Sequence, residues 1–362
     1  LQEQAWRSAS VRMDMLGAIS FVNVLPGGTA CVETPRGLPI VRTLAPSLVG
    51  RAEDLAAEYL IRRWADSKGQ PPPDARDAMT GGEFALEAQD HLLRVYARCG
   101  ATLARYAGDS ADERSLAASG AALTQAAERM RAAGAPATPA FAAPMGSDVP
   151  ARLADTAAVL ELCSAFRIAS GDEGADDLIR RAALFLLLMQ RPDGSFHSAY
   201  DQARDAAVED AGGRPVPASP QDAADAARSM LMAFRALGIP DCLAGGQKAL
   251  LRLAQEGGPL HGPQEARSFV TAAYEYSRVA PAAPFLRRVA EAVDLLARWQ
   301  ISDAGAPAPD LVGGAAYRMP PTAVETSADL EAFSAAWLVA IAEGDDELRL
   351  HCRRAARRAG CY

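Results

Sequence analysis

From Pro220 to Gly238 the chain reads PQDAADAARSMLMAFRALG, with Ala223, Ala227, Met230, Leu231, Phe234 and Leu237 recurring every three or four residues. That spacing places one apolar stripe along one side of a helix. Pro220, Gln221 and Asp222 suit its first turn, and Gly238 with Pro240 ends it. The same pattern predicts helices over about 47–64, 82–107, 110–133, 150–170, 173–190, 220–237, 241–256, 263–279, 283–301, 325–343 and 345–360. Only residues 18 to 43 read as β structure. There AISFVNVL and ACVETP flank Pro26-Gly27-Gly28, and Pro35, Gly37 and Pro39 follow as breakers. No further strand is expected.

The connections are as informative as the helices. Tight ones recur near Gly108-Asp109, Gly171-Asp172, Gly238, Pro281 and Gly344-Asp345. Glycine ends a helix in the left-handed conformation, and a following aspartate starts the next. Between them run longer segments, mostly rich in Pro and Gly: 65–81, 134–149, 191–219, 257–262 and 302–324. Tight and long connections alternate, so the helices come in antiparallel pairs. A second repeat agrees: RAALFLLLMQRPDGSF (Arg181–Phe196) and EAVDLLARWQISDAG (Glu291–Gly305) match at Ala182/Ala292, Gln190/Gln300 and Asp193/Asp303. Helical hairpins repeated in this way build either an open solenoid or a closed α/α ring.

On this hairpin period, and on Arg181…Gln190-x-x-x-Gly194-x-Phe196, the chain resembles the α/α-toroid proteins. That group includes six-hairpin glycosidases, sugar epimerases, terpene cyclases and prenyltransferase β subunits. The resemblance spans about residues 47 to 362 and is strongest to bacterial toroids grouped with the sugar-acting members. Phe196 departs from the terpene-cyclase repeat, where that position is usually Trp. The resemblance implies a predominantly all-α fold, an α/α toroid of about eleven helices in antiparallel hairpins with a small N-terminal β hairpin. It divides the chain into an N-terminal segment, 1–46, and a toroid domain, 47–362. It further implies that the long connections gather at one end, around the mouth of a central cavity of the kind that holds small molecules.

Composition trims the options. A formal charge of −8 supplies no basic field for nucleic acid or an acidic membrane. The longest apolar run, AALFLLLM, is too short to cross a bilayer. No secretory apolar segment opens the chain, and the expected compartment is the cytoplasm. Lysine occurs only at Lys68 and Lys248, so arginine supplies nearly all positive charge, which reads as compositional bias. Six dispersed cysteines without a C-x-x-C pair point to reduced, mostly buried thiols.

The expected ligand is a small molecule or glycan in the central cavity, with no cofactor and no metal. Asp193, His197 and Asp201 are candidate catalytic groups in the long loop after residue 190, with Arg191 and Tyr200 as binding residues beside them. A carboxylate next to a histidine or tyrosine serves as general acid or base once burial tunes it. Asp193-Gly194 is also an ordinary turn pair. A second cluster holds Asp310, Tyr317 and Arg318 as binding candidates and Glu325 as a catalytic one, with His261 joining from another long connection. Thr322, Glu325 and Asp329 equally suit the start of a helix.

Sharper chemistries lack their residues. DEGADD at Asp172–Asp177 does not have the Asp-x-Asp-Asp spacing of a terpene-cyclase acid. Aromatics at 6% are few for stabilising a carbocation. His351-Cys352 are helix neighbours that point apart, unlike zinc ligands. No phosphate loop, dinucleotide fingerprint or G-x-S-x-G elbow occurs. The reading is therefore a carbohydrate-active epimerase, lyase or hydrolase. The alternatives are a non-catalytic binding or scaffold toroid and, behind it, terpenoid or prenyl-type chemistry.

Overall fold

A computed structural model describes residues 29–33, 39–43, 85–128, 130–132, 139–142, 150–201, 203–255, 260, 262–300 and 323–359. These belong to two compact units, one within Ala57–Glu256 (the central unit) and one within Leu1–Ala56 and Gly257–Tyr362 (the terminal unit). The helix expected over 47–64 lies outside the described residues.

The central unit carries helices α1 (Ala85–Ser110), α2 (Glu113–Ala127), α3 (Leu153–Ser170), α4 (Asp176–Met189), α5 (Pro220–Leu237) and α6 (Pro240–Gln255). Helices α1, α3 and α5 pack side by side as an inner layer. The partner of each hairpin backs it: α2 lies on α1 and α3, α4 on α3 and α5, and α6 on α5. An inner helix is covered from several sides, and α3 shows it: every residue from Leu153 to Ala165 is buried. Its apolar residues accordingly run all round the helix instead of along a stripe.

The turns explain the pairing. Gly171 and Gly238 end α3 and α5 with φ of 71° and 69°, the left-handed conformation that costs glycine no Cβ clash. Asp172 then accepts from the Gly174 N–H at 2.8 Å, opening a 3₁₀ turn that leads into α4. Ser219 caps α5, accepting from the Asp222 N–H at 3.1 Å, with Pro220 at the first helical position.

One expected turn moves. Gly108-Asp109 lies inside α1, and the chain reverses at Ala111, a non-glycine residue at φ 57°, followed by the α2 cap Asp112. Asp112 accepts from Ser115 N–H at 3.0 Å and from its hydroxyl, which fixes the helix start three residues late. The α2 helix also stops early, at Ala127 instead of about 133.

The terminal unit carries strands β1 (Thr29–Glu33) and β2 (Pro39–Thr43) and helices α7 (Pro263–Ser277), α8 (Leu286–Arg298), α9 (Ala323–Glu343) and α10 (Asp346–Ala359). The α7 and α9 helices pack together, with α8 and α10 against them. Gly344 ends α9 at φ 70°, and Asp345 caps α10 by accepting from Leu348 N–H at 2.9 Å.

The described hairpin uses a pairing that the sequence did not suggest. ACVE pairs antiparallel with the downstream PIVRT, in the register Thr29↔Thr43 to Glu33↔Pro39, so five residues including Pro35 and Gly37 connect the strands. The segment AISFVNVL lies outside the described residues.

Short strands occur where none was expected. In the central unit β3 (Met130–Ala132) pairs with β4 (Ala140–Ala142), and β5 (Ala151–Arg152), β6 (Ala199–Asp201) and β7 (Ala206–Ala207) form a three-stranded sheet. Ladders of two or three residues are too short for alternating polarity to register in sequence. They matter because β5 runs directly into α3, so its partner β6 is tied to the N-terminal end of the inner layer.

The repeated glutamines hold successive hairpins together. Gln190 at the end of α4 donates to the Gly245 carbonyl in α6 at 2.9 Å, and Gln300 at the end of α8 donates to the Ala355 carbonyl in α10 at 2.9 Å. Both reach 55 residues downstream. The recurring glutamine is thus architectural, a side-chain amide satisfying a backbone carbonyl on the next outer helix.

Cys163, Cys242 and Cys352 are free, buried thiols, and burial pushes each up to about 12. They are packing residues and poor nucleophiles.

Candidate functional site

The loop after α4 begins with a turn that needs its glycine. Gly194 has φ 92°, and a Cβ there would meet the Lys248 carbonyl oxygen at 2.7 Å. Asp193, beside it, is about half exposed. Its Oδ1 accepts from the Ser195 hydroxyl at 2.7 Å and the Ser195 N–H at 3.0 Å. Those two bonds, with a smaller contribution from Arg252 and Arg191, hold its carboxyl below the usual aspartate range.

His197 follows, half-buried. The Arg191 guanidinium approaches its Nδ1 through Nε and Nη2, both at 3.3 Å, while Nη2 also donates to the Pro215 carbonyl at 2.8 Å. Guanidinium is a donor only, so Nδ1 must be the bare acceptor and the imidazole proton sits on Nε2. Burial first, then the Arg191 charge, holds the His197 pKa below its ordinary 6.5. The ring is therefore neutral at pH 7 and offers an N–H, with its lone pair already covered. Titration by NMR should place its midpoint below 6.5, and Arg191→Ala should move it back up. Because the folded state resists protonation, this residue lowers stability as pH falls below about 6.5.

Tyr200 points inward and packs against Phe141 and Phe185, with ring centroids 5.2 and 5.7 Å away. Its hydroxyl donates to Asp205, which sits at φ 52°. Burial, then Asp205, pushes the phenol up to about 12, so it stays protonated. Asp201 accepts from the N–H groups of Ala203 at 2.9 Å and Arg204 at 3.2 Å, closing the β6–β7 turn. Glu325 falls in the first turn of α9, and its side chain, like all of His261, Asp310, Tyr317 and Arg318, lies outside the described residues.

The larger assembly of charge lies on the inner helices. Arg94, Arg98 and Arg105 share one face of α1, at spacings of four and seven residues. Arg94 donates to Asp155 of α3 through Nε at 3.2 Å and Nη2 at 3.1 Å, and its Nη1 lies 3.9 Å from Asp222 of α5. Arg98 pairs with Asp225 of α5 at 2.5 Å. Arg105 pairs with Glu161 of α3 and touches the Met232 sulfur of α5 at 3.4 Å. Arg228 of α5 reaches the same Glu161 oxygen at 3.0 Å.

These contacts define geometry. Arg98→Asp225 and Arg105→Met232 both span 127 residues, so α1 and α5 run parallel and in register. Neighbouring helices pack about 8–10 Å apart, and in a flat layer α3 would stand directly between α1 and α5. Side chains of α1 and α5 meet only if the layer curves toward them. The face carrying these charges is concave.

Asp155 and Asp222 occupy the first turns of α3 and α5, where helix N-termini favour anions. The backbone of β5 and β6 meets that same end: the Leu153 N–H donates to the Ser198 carbonyl at 2.9 Å. The loop carrying His197 thus borders the rim of the concave face. Deeper, burial alone would raise Glu161, but Arg228, Arg105 and Arg98 outweigh it and hold its carboxyl down at about 2. Glu161 is a fixed anion and has no proton to give at neutral pH.

The device recurs in the terminal unit. Arg267 of α7 donates to Asp329 of α9 at 2.6 Å, 62 residues on, as Arg94 does to Asp155 at 61. Asp329 is 1% exposed and ties two helices together, well inside α9 and past its first turn. The only sequence trace of these sites was the arginine spacing on α1, hidden by a chain that uses arginine almost everywhere.

No protein-family model matches this chain, and no curated protein matches it in sequence. Solved structures do match in fold, and that fold is the α/α toroid. The chain is similar to cellobiose 2-epimerase from Spirochaeta thermophila at 15% identity and TM-score 0.52, over 73% of each chain. It is similar to a D-mannose isomerase at 13% identity and TM-score 0.52, over 73% of this chain and 75% of that one. A GH76A α-1,6-mannanase from Salegentibacter sp. matches at 11% identity and TM-score 0.54, over 93% of this chain and 99% of that one. An inactive variant of that mannanase, altered at two consecutive aspartates, is solved with α-1,6-mannotriose at TM-score 0.51. No helix among the described residues is long and apolar enough to cross a membrane.

Proposed function

We propose that this chain is a carbohydrate-active toroid whose sugar lies against the concave face of α1, α3 and α5. The observation that carries the reading is the Arg98–Asp225 bond, which brings donors and acceptors from non-adjacent inner helices onto one curved surface. Sugars present hydroxyls that both donate and accept. A guanidinium, which only donates, beside a carboxylate, which only accepts, answers both needs. The fold's similarity to an epimerase, an isomerase and a mannanase supports the ligand class.

The reaction is narrower than the fold allows. The sequence has two Asp-Asp pairs, Asp176-Asp177 and Asp345-Asp346, and both sit at turns within hairpins. Asp176 is bonded to Arg167 at 2.7 Å, and Asp345 caps α10. Neither lies on the concave face, which argues against chemistry that uses consecutive aspartates. His197 remains the candidate for proton transfer beside this face, with Asp193 and Asp201 behind it, since their carboxylates already close turns; Glu325 stays a candidate on its sequence alone. Arg191 and Tyr200 stay beside it as binding candidates, and His261, Asp310, Tyr317 and Arg318 stay binding candidates on their sequence alone.

One observation favours a second reading, a sugar-binding toroid without turnover. Asp155, Asp225 and Glu161 are all engaged by guanidiniums, and the His197 lone pair is covered. Proton NMR of the anomeric region separates the two, using mannose, cellobiose and α-1,6-mannobiose in D₂O. New anomeric signals, or loss of a C2 proton, lost in turn on Arg98→Ala, establish turnover at this face. A thermal shift with no new signal establishes binding alone. Neither effect with any of the three sugars removes the carbohydrate reading.

A further inference from the structure

The outward stripe of α10 is complementary in charge to its own reverse. On the inward side Leu348, Cys352, Ala355 and Ala356 are buried, and His351 turns to Asp294 of α8 at 3.0 Å. On the other side Asp346, Glu347, Leu350, Arg353 and Arg354 are all exposed, at spacings of three and four that place them on one face. The stripe is symmetric about Leu350. Asp346 and Arg354 stand four residues to either side of it, and Glu347 and Arg353 three. We propose that this face binds a second copy of the chain, with two α10 helices antiparallel across a two-fold axis at Leu350. Reversing the direction sets Asp346 of each copy against Arg354 of the other, and Glu347 against Arg353. A two-fold contact uses the same patch on both copies, and a self-complementary stripe meets that condition.

Acid early and base late in a helix also complement its dipole. That need does not account for the stripe, because α2 and α4, two other outer helices with acidic first turns, carry no basic residue in their last turn. Glu347, Arg353 and Arg354 form no ion pair among the described residues, while Asp346 has Arg349 at 2.9 Å and stays 82% exposed. The charges that would meet across the axis are thus available to a partner. Leu350 is 48% exposed. A single surface leucine is ordinary. At the point of symmetry, however, it supplies the apolar centre that a contact rimmed by charges requires. One 14-residue helix is a short platform, smaller than a standard interface, so the dissociation constant should be on the order of 10–100 µM.

Sedimentation velocity on the full chain, over a concentration series at low salt, tests the pairing. The parent should pass from monomer to dimer, and added salt should drive it back. Glu347→Arg and Arg353→Glu each put like charges at the Glu347–Arg353 contacts on both sides of the axis. Each variant alone should therefore dimerise at least about 10-fold more weakly. Mixed in equal amounts, the two regain opposite charges at both contacts and should associate within about 3-fold of the parent. Circular dichroism checks that the variants fold. Leu350→Glu, which sets two carboxylates at the axis, should also give a monomer and covers the case in which a charge swap misfolds. A parent that stays monomeric up to about millimolar concentration overturns the inference. So does a dimer that all three variants retain, or a mixture of the two swaps that remains as weak as each alone.

Discussion

Changing Glu161 to Gln should lower the unfolding free energy by about 3–5 kcal/mol at pH 7. The loss comes less from the missing attraction than from what is left behind, two guanidiniums, Arg105 and Arg228, gathered around an amide in place of the carboxylate they share. The pH dependence gives the same residue a second signature. Its carboxyl stands at about 2 in the folded protein against an ordinary 4.5. The stabilisation is therefore complete above about pH 4.5 and is lost as pH falls through that value toward 2, with a total on the order of 3 kcal/mol. Urea denaturation at pH 7, 4 and 3 should show the parent losing stability across this window and the variant losing less. A variant as stable as its parent at pH 7 would mean the cluster is not held as described.

The second large effect concerns the terminal unit. Asp329→Ala should cost about 3–5 kcal/mol, because Asp329 is 1% exposed and its removal takes a buried carboxylate from Arg267, itself only 16% exposed. Replacing both partners by apolar residues of similar size, Arg267→Met with Asp329→Leu, should recover most of that loss. Thermal melts of the two single variants and the double variant test it. If the double variant is as damaged as the sum of the singles, the pair contributes something besides mutual neutralisation.

The recurrence of this pair bears on how the concave face is interpreted. Arg94–Asp155 and Arg267–Asp329 have nearly the same sequence span and both join inner helices, so stapling is their first role. Arg98–Asp225 is different. It skips a helix, its guanidinium is 46% exposed, and holding α1 to α3 does not require it. Arg98 and Asp225, more than the better buried pairs, are therefore placed to meet a ligand.

Much of the architecture was legible in the chain. Gly171, Gly238 and Gly344 announced their turns because glycine is the residue that reaches the left-handed conformation without strain, and the aspartates or Pro240 after them start the next helix. The α1–α2 turn was misplaced because Ala111 adopts that conformation without being glycine, while Gly108 sits within the helix. The β1–β2 pairing was not legible, since Pro-Gly-Gly is the stronger turn signal on composition alone and pairing partners are not written in either strand. The glutamine repeat was visible, but its purpose depended on a carbonyl 55 residues away.

The site was far less legible than the fold. In sequence the loop residues Asp193, His197 and Asp201 stand out as a histidine and carboxylates gathered in one long connection. In three dimensions Asp193 and Asp201 accept bonds from their own turns, and His197 is set by Arg191. The charges that converge do so across 56 to 127 residues, on helices whose other faces carry the core. One signal was present on α1, arginine at positions 94, 98 and 105, and arginine's abundance in this chain concealed it.

The central claim is that the face joined by Arg98 and Asp225 is where a sugar sits. A crystal of the protein soaked in cellobiose or α-1,6-mannobiose tests it most directly. The account predicts sugar density with hydroxyls within hydrogen-bond distance of the Arg98 guanidinium and the Asp225 carboxylate. Density confined to the outer surface, or a fully occupied sugar that touches neither residue, would contradict it.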